Sequence, residues 1–141
     1  MSGLFRYALS YDKNRPVYVT EIDREGLKYA GSISRVTTVF VRDNQVMTEN
    51  VNVRALMLRF RLNSNIDVRT LRWNPIWQYY SARVVISDGN NGKVRITTAR
   101  NDTEEDNLLS LPDIGNSQIK ITSVDEFDKI TGSLNLGKRV F

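Results

Sequence analysis

Arg54-Ala55-Leu56-Met57-Leu58-Arg59-Phe60-Arg61-Leu62 decides the fold class, because strand and helix both compete for it. Read with a period of two, Leu56, Leu58, Phe60 and Leu62 share one side, and Ala55, Met57, Arg59 and Arg61 share the other. That is the alternation of a strand with one buried face and one partly solvated face. At helical spacing Leu56, Arg59 and Phe60 have to share a face, which fits less well. The stretch reads as a strand, with Arg59 and Arg61 projecting from the same side of it.

Upstream, Ser32 to Arg42 is β-branched and nearly free of helix formers. Asp43-Asn44 supplies turn chemistry before Gln45 to Val53, so the two runs read as a hairpin. Arg15 to Ile22 reads as a strand with Val17 and Val19 on one face and Tyr18 and Thr20 on the other. Asp23-Arg24-Glu25-Gly26 then reads as a turn. Downstream, Arg83 to Ser87 and Lys93 to Arg100 flank Asp88-Gly89-Asn90-Asn91-Gly92, the strongest hairpin signal in the chain. Gly and Asn tolerate the positive φ that such turns require. Gln118 to Thr122 is a short alternating strand. Ser123-Val124-Asp125-Glu126 matches a capping box, but Thr131-Gly132 limits it to one or two turns of helix, and a turn between strands fits equally well.

These signals predict an all-β chain, residues 1–141 forming a single domain of eight or so strands with at most one short helix. A β-sandwich is preferred, with a jelly roll or a small β-barrel as the alternatives. Residues 1–11, with Leu4, Phe5, Tyr7, Leu9 and Tyr11, and residues 133–141 are candidate edge strands or assembly arms. Ile130-Thr131-Gly132-Ser133-Leu134-Asn135-Leu136 looks like the closing strand of some small secreted bacterial β-sandwich proteins. No function follows from that resemblance.

Composition narrows the chemistry. There is no cysteine, which removes disulfides, thiolate nucleophiles and cysteine-based zinc sites. There is no histidine, which removes Ser-His-Asp triads and an imidazole proton shuttle. Carboxylate-only and lysine chemistry stay open, with Glu21 beside Asp23 and Glu104 beside Asp106 as the carboxylate pairs to test. The expectation is a non-enzymatic protein with no cofactor and no metal. Nowhere do about eighteen apolar residues run together, so no transmembrane helix is predicted. The first residues lack a signal peptide pattern, so the expected location is the cytoplasm or an assembled particle.

The formal charge is +4, unevenly spread. Residues 1–34 carry five Lys/Arg against four Asp/Glu, residues 35–100 eleven against four, and residues 101–141 four against eight. A basic middle and an acidic end can pair within the fold, pair between copies, or leave the basic part for a polyanion. The candidate binding set is Arg54, Arg59, Arg61, Arg69, Arg72, Arg83 and Arg95, a positive stripe if their strands are neighbours. Its plain alternative is an ordinary charged sheet face.

Trp73-Asn74-Pro75-Ile76-Trp77-Gln78-Tyr79-Tyr80 holds both tryptophans. Trp73, Trp77, Tyr79 and Tyr80 suit an interface anchor or a base-stacking platform, while Trp77 and Tyr79 also suit a plug for the core. Asp102, Glu104, Glu105 and Asp106 form an acidic loop without calcium-loop spacing. Together these features predict a self-associating structural subunit, a homo-oligomer of which a virus or phage particle is one setting. The second expectation is a nucleic-acid-binding β module that uses the arginines and Trp stacking.

Overall fold

The computed structural model describes residues 14–62, 66–76, 78–88, 94–98 and 108–134. At its centre lies β1 (Val17–Ile22), buried along its whole length. β2 (Arg35–Arg42) runs antiparallel to β1, and β3 (Gln45–Asn52) runs antiparallel to β2. On the other side β4 (Val68–Thr70) pairs with β1 in parallel, which gives the order β3-β2-β1-β4. Two ribbons stand outside this ladder: β5 (Arg72–Asn74) with β6 (Gln78–Tyr80), and β7 (Val84–Asp88) with β8 (Val94–Thr98). A backbone bridge between Arg69 and Arg83 ties β7 to β4. Helices α1 (Arg24–Ala30), α2 (Val53–Leu62) and α3 (Val124–Ser133), with a 3-10 turn at Leu108–Ser110, complete the described elements. The fold is small and mostly β, as the sequence predicts, with more helix than the one short element expected.

Both faces of the central sheet are covered, and the period-two alternation of its strands explains how. Val17 and Val19 of β1 join Val36 and Phe40 of β2 in one cluster, closed by Leu56 of α2 and by Val84 and Ile96 of the β7–β8 ribbon. Tyr18, Val39 and Val41 face the other way, onto Leu71, Ile121 and Phe127 and Ile130 of α3. A register shift between Val19 and Glu21 lets Ile22 join the face of Val17 and Val19. That is the effect of a bulge, one extra residue that turns the strand on its axis. The β2–β3 turn is as read: Asp43 and Asn44 both take positive φ, 51° and 61°, the geometry that suits a two-residue hairpin.

Three readings are corrected. The stretch 54–62 lies in α2, not in a strand. Val53, Leu56 and Met57 are its buried apolar positions among those described, at helical spacing, while Leu58 is 38% exposed. Alternating leucines mimic a strand, but Arg, Ala, Leu and Met are all good helix formers, and β-branching stops at Val53. Asp23 starts α1 rather than a turn, its carboxylate accepting from Gly26 N at 2.9 Å. A methyl group at Gly26 would collide with that capping carboxylate, and Gly31 ends the helix in the left-handed region at φ 74°. Finally, α3 continues through Thr131-Gly132 to Ser133, so the part of 130–136 that is described is helical rather than a closing strand. Its start is as read, with Ser123 Oγ accepting from Glu126 N at 3.1 Å. Gln118 to Thr122 alternates in burial as expected but joins no ladder.

Candidate functional site

A cleft of about 280 Å³ opens beside the bulge of β1. Thr20 forms its base, Arg72 and Trp73 of β5 one wall, and Asn116, Ser117 and Gln118 the other. The second wall is an irregular loop, and irregular backbone needs partners for its polar groups. Glu21 provides two of them. Its Oε2 accepts from Gly115 N and from Ser117 N, both at 2.8 Å. Arg24 holds the preceding turn, its Nη1 donating to Leu109 O at 2.6 Å and Leu111 O at 3.0 Å. Asp113 closes the clamp by accepting from Arg24 N at 2.9 Å, and Ile22 N donates to Pro112 O at 3.0 Å. The cleft is therefore preformed.

Glu21 is 7% exposed, and the two amides it satisfies belong to one turn of the loop. Glu21→Ala strips both amides of their acceptor and is expected to lower stability by about 2–3 kcal/mol. Glu21→Gln, which keeps an accepting oxygen, loses about half as much. Urea denaturation of the two variants checks this; equal losses would mean that the carboxylate charge, not the acceptor geometry, holds the loop.

The proposed carboxylate pair Glu21 and Asp23 is occupied in this way, one holding the loop and the other capping α1. No Asp or Glu lines the cleft among the described residues. Its walls offer a guanidinium, amides, hydroxyls and one indole, groups that bind and orient. Among the described residues no cluster of three or more carboxylates is placed to hold a metal ion.

The arginine set does not form one stripe. Arg59 is 8% exposed and paired with Glu49 of β3, while Arg61 and Arg54 face solvent on α2. Two residues apart on a helix means roughly 200° apart around its axis, so Arg59 and Arg61 cannot share a side. Arg69 and Arg83 are brought together as bridge partners, Arg69 pairing with Asp67 at 2.9 Å and Arg83 standing exposed. Arg72 sits opposite Tyr80, and the backbone of Arg95 sits opposite Ser87.

Of the aromatic residues, Trp73 lies opposite Tyr79 across the β5–β6 ribbon. Tyr79 packs against the cluster under α3, Tyr80 is half-buried, and Trp73 is 37% exposed. The ribbon turns at Pro75-Ile76, where Ile76 is 83% exposed and Gln78 takes φ 61°. Trp77, Asp102, Glu104, Glu105, Asp106 and the arm 1–11 lie outside the described residues, as do positions 135–141 of the second arm. Sequence reading found Arg72 and Trp73, named Glu21 only as half of a carboxylate pair, and missed Arg24. No family model matches the chain, and no match is found among curated proteins or solved structures.

Proposed function

We propose that this chain is a non-catalytic assembly subunit that binds other copies of itself through the β5–β6 ribbon. The exposure of Trp73 and Ile76 carries the reading. Two large apolar side chains stand out on a ribbon that shares no ladder with the central sheet. Aromatic and aliphatic anchors ringed by arginine are what interface centres are made of. Arg72, next to Trp73 in β5, supplies one such arginine, and the net negative charge of residues 101–141 is complementary to it. The expected result is a discrete oligomer by light scattering after size exclusion, with Ile76→Asp lowering its mass by about half or more. A wild-type protein that stays monomeric at about 100 micromolar overturns the reading.

The cleft favours a second reading, a single-stranded nucleic acid with a base stacked on Trp73 and a phosphate at Arg72. In the same experiment it predicts excess absorbance at 260 nm that high salt removes. A protein eluting free of nucleic acid at low salt counts against it.

A further inference from the structure

We infer that the outer edge of β3 pairs antiparallel with the same edge of a second copy, placing Thr48 on the two-fold axis. The inference deepens the self-association reading and rests on it. β3 ends the sheet order, so among the described residues no strand lies beside it, whereas β4 at the other end is bridged to β7. Long edge strands are normally blunted by proline, lysine or a bulge. β3 has no proline, lysine or arginine, and its register with β2 runs from Arg42↔Gln45 to Arg35↔Asn52 without a shift.

Which backbone groups face outward follows from the turn. In a two-residue hairpin the closing pair, here Arg42 and Gln45, exchanges both of its hydrogen bonds. Alternation then makes Met47, Glu49 and Val51 bond to β2. The next rung obeys the same parity, since Val53 N donates to Ser34 O at 2.9 Å. Val46, Thr48 and Asn50 therefore turn their N–H and C=O groups away from the sheet. Thr48 and Asn50 are exposed there.

Self-pairing must match outward residues with outward residues, which leaves few registers. The one that sets Asn50 on the axis leaves a short overlap. The one that sets Val46 opposite Asn52 gives a long overlap but puts Glu49 directly opposite the partner's Glu49, a like-charge contact that destabilises a sheet. Placing Thr48 on the axis pairs Val46 with the partner's Asn50 and Gln45 with the partner's Val51. Glu49 then faces the partner's Met47, and its own charge stays compensated by Arg59. The two Thr48 side chains meet as a cross-strand pair, which is favourable. The two central sheets become one continuous sheet across an isologous interface.

Thr48→Pro removes an outward N–H that β2 does not use, so an edge strand can accept it. Thr48→Lys sets two ammonium groups face to face on the axis. Both variants, made in the Ile76→Asp background of the full chain, are expected to weaken dimerisation about tenfold or more in sedimentation equilibrium. Their far-ultraviolet circular dichroism should match the parent. Hydrogen exchange at Val46, Thr48 and Asn50 amides should slow as protein concentration rises. Protection that is independent of concentration overturns the inference, because it means the chain covers its own edge. A dimer that survives both Thr48 substitutions also overturns it, while leaving the ribbon-based assembly standing. A wild-type monomer at all concentrations removes both together.

Discussion

Phe127→Ala lowers the stability of the fold by about 3–5 kcal/mol, the range for emptying a buried aromatic site. Phe127 is fully buried in α3, and its ring centroid lies 5.2 Å from that of Tyr18. Tyr18 is itself the one aromatic side chain of β1, with no exposure, and its hydroxyl lies 2.8 Å from Thr131 Oγ1. The substitution thus removes the contact by which a ten-residue helix grips the middle strand. A second readout follows from the phenol. Burial pushes the Tyr18 pKa from 10.0 up to about 12, against smaller opposing effects of the Thr131 hydrogen bond and Arg69. The folded state therefore holds this proton more tightly than the unfolded chain does. Its stabilising share is complete below pH 10.0 and is lost as pH rises through about 12. In Phe127→Ala water reaches the ring, and the late-titrating tyrosine seen by tyrosinate absorbance shifts back towards its ordinary value. Loss of less than about 1 kcal/mol would mean that α3 does not hold the sheet face in this way.

Glu49→Leu costs about 3 kcal/mol, whereas Glu49→Leu with Arg59→Met together cost about 1 kcal/mol or less. The Arg59 and Glu49 side chains are 10% and 19% exposed, so the pair sits largely out of water between α2 and β3. Removing the carboxylate leaves a guanidinium in a site that solvates it poorly. Replacing both partners by apolar side chains of similar volume leaves no charge to compensate. Thermal or urea denaturation of the wild type, both single variants and the double variant closes the cycle. If the double variant is as unstable as Glu49→Leu, the cost comes from shape rather than charge. The same geometry bears on function: Arg59, the arginine that a strand reading would have offered to a polyanion, is committed to a neighbouring strand.

Local signals were legible where the chain answers to its neighbours in sequence. The β2–β3 hairpin followed from β-branched residues on either side of Asp43-Asn44, and the Ser123 cap from the Glu three residues later. The stretch 54–62 was not, because leucine at every second position satisfies a strand while Val53, Leu56 and Met57 satisfy a helix. Composition separates the two where periodicity does not, because Arg, Ala, Leu and Met all favour helix. The cleft was half legible. Arg72 and Trp73 announce themselves by type, but Glu21 meets Gly115 across 94 residues of sequence. No spacing rule reaches that far, and a lone glutamate in a strand carries no mark of the loop it will hold.

The position of α3 in the chain has a consequence for how the protein comes to be folded. Every strand of the central sheet ends by Thr70, while the helix that covers Tyr18, Val39 and Val41 starts only at Val124. On the ribosome, the hairpin and its first cluster can assemble while the opposite face is still bare. That face stays adhesive until the helix is made and docks, sealed by Phe127 and by the Arg15–Asp128 ion pair that joins the two far-apart segments at 2.8 Å. Long-range closure of this kind is slow, and waiting apolar surface invites other chains. Aggregation of the nascent chain is thus expected to be greatest in the interval between the synthesis of β4 and that of α3.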